Sequence, residues 1–265
     1  MVGEERDRKF EFDYGEDIGM NAKEYQKLYQ NIKEKSPIES GVQTLVYMFL
    51  YEIMKDTDYQ LIVIDRMGKK TQFITSTGIS DLAIVSDAFR FSGETRDDII
   101  SYVEVKGTEI NLYDFEEQIK GQLLSCGRIL CTNGSVWKYY DIEKYIERNS
   151  ENDIDYVWKE NDYGEIKTTI DSLELVERAL AIKKTSYAHT QKNEYRVMYE
   201  KEINELEKKK TEISAKLQES LMKISWLQDV MDTPIIDMKL YDNGSFDVIE
   251  YMKLKSELYD VISTW

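Results

Sequence analysis

Long apolar runs are missing from this chain of 265 residues. No stretch approaches the roughly 18 apolar residues that a membrane span needs, so no membrane partner is expected. The opening residues, MVGEERDRKFEFDYGED, are acidic and carry no apolar signal-peptide run. Together these absences lead to the expectation of a cytoplasmic protein. Histidine and cysteine are nearly absent: His189 is single, and the only cysteines are Cys126 and Cys131. Three such side chains cannot furnish a four-ligand zinc site, and cysteines in or beside a short apolar run read as buried free thiols. Positive charge is scarce as well, with 35 Lys and Arg against 51 Asp and Glu and a net charge of −16. Phosphate neutralisation supplies most of the affinity of a protein that coats DNA, so a general electrostatic DNA binder is excluded. An acidic enzyme can still cut DNA through a locally basic groove, or with a partner protein that delivers the substrate. Carboxylates that collect divalent cations are themselves negative.

What is present is regular. Only two prolines and 42% apolar residues allow one good core, or a core with an extension. Residues 1–35 read as a polar lead with a short helix over AKEYQKLYQNIKEK. Ser36-Pro37-Ile38-Glu39 then has the pattern of a helix start, with Ser36 as N-cap, Pro37 in the first turn and Glu39 closing a capping box. The following VQTLVYMFLYEIMK is apolar nearly all round and should be largely buried. Strands are expected over 59–64, 70–76, 80–86 and 98–107, with a turn at Met67-Gly68 and a polar loop over 87–96. A helix over 114–126 with Asp114 as cap follows. Two further strands, 128–132 and 135–141, are joined by Asn133-Gly134, the strongest short hairpin signal. The helix between strands 98–107 and 128–132 reads as a right-handed crossover.

Beyond residue 145 the character changes. An edge strand or two is expected within 153–170, and a long helical region from near Leu173. Residues 186–231 contain neither glycine nor proline and fit a heptad frame, with Ile203, Lys210, Leu217, Ile224 and Met231 at one seam position. Tyr199, Leu206, Ile213, Ser220 and Leu227 stand at the other. A two-helix association, within the chain or between two chains, is the expectation. The tail 233–265 is compatible with a hairpin about Asp242-Asn243-Gly244 or a helix from Ser245. The division expected is therefore 1–35, 36–170, 171–232 and 233–265.

Chemistry concentrates in SYVEVKG. Strand alternation puts Glu104 and Lys106 on one face, with Val103 and Val105 on the other. Burying a carboxylate and an ammonium is costly unless they are paired or hold a metal; a structural salt bridge is the plain alternative. Asp81 opens the equally apolar strand DLAIV. If the two strands are antiparallel neighbours, Asp81 comes close to Glu104, and two such carboxylates repel unless a cation sits between them. Mg²⁺ takes one or two carboxylates together with waters and a substrate phosphate. Asp81 and Glu104 are the candidate metal ligands, with Lys106 placed to orient the attacking water and contact the phosphate.

An Asp on one strand and Glu-x-Lys on the next, followed by a helix and a further strand, resembles the PD-(D/E)XK nucleases. The arrangement is most similar to the N-terminal nuclease domain of type I restriction enzyme R subunits. Glu39 in the first helix matches an acidic residue that the family often carries near the metal. Gln118 matches the glutamine of a Gln-x-x-x-Tyr motif, and GRILCTNGSVWKYY resembles the family's Thr-Asn-Gly strand and hairpin. The likeness covers roughly residues 36–141, about two-fifths of the chain. It departs at Ser80, where the family has proline, and at Gln122, where the motif has tyrosine. No Gly-x-x-x-x-Gly-Lys-Ser/Thr phosphate loop is present, so a free-standing nuclease domain with a helical extension is expected rather than a motor subunit.

The resemblance implies an α/β fold with a mixed central sheet flanked by helices, extended here by a C-terminal coiled-coil segment. It implies a Mg²⁺-dependent DNA endonuclease, with Mn²⁺ as substitute, working in restriction, phage defence or a mobile element. Asp81, Glu104, Lys106, Glu39 and Gln118 would form its site, with Asp81, Glu104 and Val105 as the metal ligands. Pairing of two chains through 199–231 would make a homodimer able to cut both strands. The alternatives are a catalytically silent module of the same fold in a larger complex, and a nuclease directed at RNA.

Overall fold

The computed structural model describes residues 20–64, 73–91 and 98–265. The chain opens with helix α1, Ala22–Lys35, over the residues expected. Its capping box is Asn21 and Glu24: the Asn21 side chain accepts from the Glu24 N–H at 3.1 Å, and Glu24 accepts from the Asn21 N–H at 3.1 Å. The helix is no polar lead, because Tyr25 and Tyr29 are buried in the core. The Tyr25 hydroxyl donates to the Gly134 carbonyl at 2.7 Å and accepts from the Trp137 indole N–H at 3.2 Å. Helix α2 spans Glu39–Met54, with Ile38 at its N-cap and no side-chain cap. The capping box expected at Ser36 and Glu39 is absent. The Ser36 N–H is committed to the preceding helix, bonding the Ile32 carbonyl at 2.8 Å, so Ser36 ends α1 instead of starting α2.

Six strands form one mixed sheet: β1 Tyr59–Val63, β2 Leu82–Ser86, β3 Ile99–Val105, β4 Arg128–Thr132, β5 Val136–Asp141 and β6 Ile236–Lys239. Their spatial order is their chain order. Only β3 and β4 run parallel, with helix α3, Glu116–Cys126, as the connection between them. The hairpin at Asn133-Gly134 joins β4 to β5; the Asn133 side chain accepts from the Ser135 and Val136 N–H groups, and Gly134 takes a φ of 81°. The strand expected at 70–76 is a turn in its described part. Thr75 and Gly78 exchange backbone hydrogen bonds of 2.8 and 3.3 Å, which closes the chain on itself before a strand can extend. Residues 70–72 and the turn at Met67-Gly68 lie outside the described residues. Asp114 caps nothing: it lies inside a 3₁₀ turn, Leu112–Phe115, that precedes α3 and is capped by Asn111.

The C-terminal half differs from expectation at several points. Helix α4, Ile142–Asn149, is followed by α5, Asp153–His189, a 37-residue helix where edge strands were expected. Its buried positions Tyr163, Ile166, Ile170 and Leu173 repeat at three and four residues, the helical period. The long helix expected over 186–231 is broken. Helix α6 runs Asn193–Lys223 and α7 Trp226–Asp232, and α6 folds back along α5. Ion pairs Lys183–Glu202 (2.6 Å) and Lys210–Glu177 (2.8 Å) fix that antiparallel alignment. The two-helix association is thus within the chain, and the seam residues Ile213, Leu217 and Ile224 pack into the chain's own core. The tail supplies three things: strand β6, a small hairpin of β7 (Tyr241–Asp242) and β8 (Ser245–Phe246), and helix α8, Val248–Ser263. It completes the sheet rather than standing apart from it.

Two cores result. Helices α1, α2 and α8 cover one face of the sheet, and α3 to α7 cover the other. Cys126 and Cys131 are free thiols, the second fully buried. Among the described residues no helix is long and apolar enough to cross a membrane.

Candidate active site

The β2–β3 ladder pairs Leu82 with Val103 in antiparallel register, so Asp81, the next residue out, stands across from Glu104. The alternation of β3 sends Val103 and Val105 into the core beneath α2 and turns Glu104 and Lys106 toward α3. All three polar side chains are buried, with 8, 3 and 6% of Asp81, Glu104 and Lys106 exposed. Asp81 Oδ2 accepts from the Val105 N–H at 2.7 Å. Lys106 Nζ donates to Glu104 Oε1 at 2.5 Å and to Gln118 Oε1 at 3.2 Å. Gln118 Nε2 returns to Glu104 Oε1 at 2.7 Å. The ring of Phe115 lies 4.4 Å from Lys106 Nζ and screens the ammonium.

The electrostatics follow from this crowding. Burial pushes the Asp81 carboxyl up to about 8, and the Glu104 charge beside it adds to the rise. The Val105 N–H and Lys106 oppose it, while Glu39 raises it further. Burial also raises Glu104, against the pull of Lys106. Two carboxylates that burden each other in a dry site are stabilised by a cation. Among the described residues no group of three or more His, Cys, Asp or Glu side chains is disposed to hold a metal. Mg²⁺ requires fewer, since waters and phosphate complete its shell. Asp81 and Glu104 are the two buried carboxyls at this place.

Four of the residues singled out in the sequence, Asp81, Glu104, Lys106 and Gln118, are therefore brought together, and Val105 joins them through its N–H. Glu39 is not in this cluster. It lies exposed in the first turn of α2 and acts on both carboxyls through its charge alone. Sequence reasoning missed two glutamines and a threonine. Gln122 Nε2 donates to Glu104 Oε2 at 2.8 Å, and Gln43 Nε2 reaches the Asp81 carbonyl at 3.5 Å. Thr77 Oγ1 donates to the Gln118 carbonyl at 2.9 Å, which keys the turn before Asp81 to α3. Gly121 permits that contact, because a Cβ there would come within 2.2 Å of the Thr77 side chain. The spacing of Gln118 and Gln122, one helical turn apart, was the available signal.

No protein-family model matches the chain, and neither a curated protein nor a solved structure does.

Proposed function

We propose that this chain hydrolyses phosphodiester bonds of DNA with the help of Mg²⁺, for which Mn²⁺ can substitute. The reading rests on one observation: Asp81 and Glu104 form a buried carboxylate pair on adjacent antiparallel strands, and Asp81 is raised to about 8 as a result. The resemblance to PD-(D/E)XK nucleases supports it, as does the order of helix, strands, crossover helix and strand around the pair. Asp81, Glu104 and the main chain at Val105 are the groups that would hold the ion, which supplies charge to the phosphoryl oxygens and acidifies a bound water. The Val105 N–H sets the plane of the Asp81 carboxyl. Lys106 offsets one of the two carboxylate charges and spends two of its three N–H donors on Glu104 and Gln118. The third is the one that a phosphate oxygen or the attacking water would take, beside the Phe115 ring that lies 4.4 Å from the ammonium. Gln118 and Gln122 clamp the two oxygens of Glu104. The net charge of −16 makes a partner protein that delivers the DNA part of the same proposal.

A second reading is a silent module of a nucleic-acid-processing complex. Its support is the engagement of both Glu104 oxygens within the protein: Lys106 and Gln118 donate to Oε1, and Gln122 donates to Oε2. The test is incubation of the protein with plasmid and linear DNA, and with RNA, in Mg²⁺, Mn²⁺ or EDTA, beside Asp81→Ala and Lys106→Ala. Metal-dependent DNA cleavage lost in both variants is the expected result. Cleavage that survives both substitutions contradicts the assignment of the site, and no cleavage of any substrate favours the silent module.

A further inference from the structure

The sheet face that carries the carboxylates continues across three more strands. Glu104 stands beside Cys131 of β4, Cys131 beside Lys138 of β5, and Lys138 beside Asp237 of β6. Neighbouring strands lie about 4.8 Å apart, so Lys138 stands roughly 10 Å along this row from Glu104. Lys138 is buried, and the proposed hydrolysis gives its ammonium no task. It donates to the Tyr113 hydroxyl at 2.8 Å, lies 4.0 Å from the centre of the Tyr113 ring and is 3.5 Å from an Asp237 oxygen. Tyr113 itself is 65% exposed. Two residues on, Phe115 covers Lys106. The 3₁₀ turn thus sets one aromatic ring over each lysine, and the Tyr113 ring is the more exposed of the two.

Beside Tyr113 opens a cavity of about 200 Å³, walled by Leu112, Ile119 and Met231, with the carboxylates of Glu116, Asp232 and Asp237 at its rim. Three carboxylates around one ammonium repel phosphate. A flat, neutral heterocycle meets no such repulsion. Its face can stack on the tyrosine ring, whose orientation Lys138 fixes, and its edge can reach the apolar wall. Carboxylates accept from exocyclic amino groups, as they do from the amino group of cytosine.

We propose that this cavity takes one unpaired nucleobase of the substrate strand, stacked on Tyr113 and bearing an exocyclic amine: cytosine, adenine or guanine rather than thymine. The inference rests on the nuclease reading and deepens it, since it makes the substrate a strand with at least one base out of the duplex. The test is fluorescence anisotropy on three labelled strands of equal length, oligo-deoxycytidine, oligo-deoxythymidine and an abasic strand, with Ca²⁺ in place of Mg²⁺. The wild type should bind the cytidine strand at least about fivefold more tightly than the other two. Tyr113→Ala should weaken binding of the cytidine strand about five- to a hundredfold and leave the abasic strand unchanged. Tyr113→Phe, which keeps the ring, should stay within about twofold of wild type. Tyr113→Ala also removes the hydroxyl that accepts from the buried Lys138, so thermal melts of each variant accompany the binding assay and confirm that it is folded.

Equal weakening on the cytidine and abasic strands would overturn the proposal, and so would an unaltered Tyr113→Ala variant or a wild type that binds none of the strands. A parallel cleavage assay separates the two levels. Cleavage with an unaltered variant sinks the base pocket alone, whereas neither binding nor cleavage sinks the nuclease reading with it.

Discussion

The two faces of the central sheet are built from the same strands and differ in kind. On the α2 side, Leu82, Ile84, Val103 and Val105 meet Val46, Phe49 and Leu50 in a dry apolar layer. On the α3 side the same strands present Ala83, Val85 and Tyr102 to an apolar layer, and then a polar row of Asp81, Glu104, Lys138 and Asp237. The end of a single strand, β3, serves both: Val103 and Val105 hold the fold, while Glu104, with Lys106 just beyond the strand, carries charge. Strand alternation lets one element carry both because neighbouring side chains never share an environment. The cost is a buried carboxylate pair that the apolar face has no means of relieving.

Substitutions on the two faces should separate these roles. The largest effect is expected from Lys106→Met. It leaves Glu104 without its ion pair, which costs about 3 kcal/mol or more for a buried pair broken on one side, and it should abolish cleavage; urea unfolding and a cleavage assay read the two losses. Leu82→Ala on the dry face should cost about 2–5 kcal/mol while the folded fraction keeps its metal response. If Leu82→Ala altered metal binding at temperatures where the protein remains folded, the separation of the faces would fail.

Asp81→Asn should act in the opposite sense. The folded-state carboxyl titrates at about 8, against an ordinary value of 3.8, so folding favours the protonated acid. That contribution is complete below the ordinary value and is lost as pH rises through about 8. The metal-free wild type should therefore lose stability across this window, on the order of a few kcal/mol. The asparagine variant should show a flatter profile and a higher melting temperature at pH 8; equal slopes would contradict a strained carboxyl. The smallest effect is expected from Tyr25→Phe, which removes the bonds to Gly134 and Trp137 without touching the polar row. A loss of about 1 kcal/mol with unchanged metal affinity is the prediction, read by thermal melts with and without Mn²⁺.

Much of the sheet was legible because its signals are local. The alternation in SYVEVKG and the Asn133-Gly134 turn each fix structure within a few residues. The elements that were misread are those where a distant contact decides. Both Asn21-x-x-Glu24 and Ser36-x-x-Glu39 fit a capping box, and only the first forms, because the Ser36 N–H belongs to the helix before it. The strand-like Phe73-Ile74-Thr75 becomes a turn that packs Thr77 on Gly121 of a helix more than forty residues away. Isoleucines and threonines in 153–170 favour strands by propensity, yet the spacing of Tyr163, Ile166 and Ile170 already carried the helical period. The break at 190–192 has no glycine or proline to announce it. Within the site, Asp81, Glu104 and Lys106 were legible from strand order and alternation, and Gln118 only from the resemblance to the nuclease motif. Gln122 was seen only as a departure from a tyrosine, and its bond to Glu104 needed the helix's rotation about its axis.

The central claim is that Asp81 and Glu104 share one divalent cation, and calorimetric titration of Mn²⁺ into the wild type and into Asp81→Asn at neutral pH tests it most directly. The account predicts a single saturable binding event in the wild type that is lost in the variant. Identical heats from both proteins, or no heat from either, would contradict it.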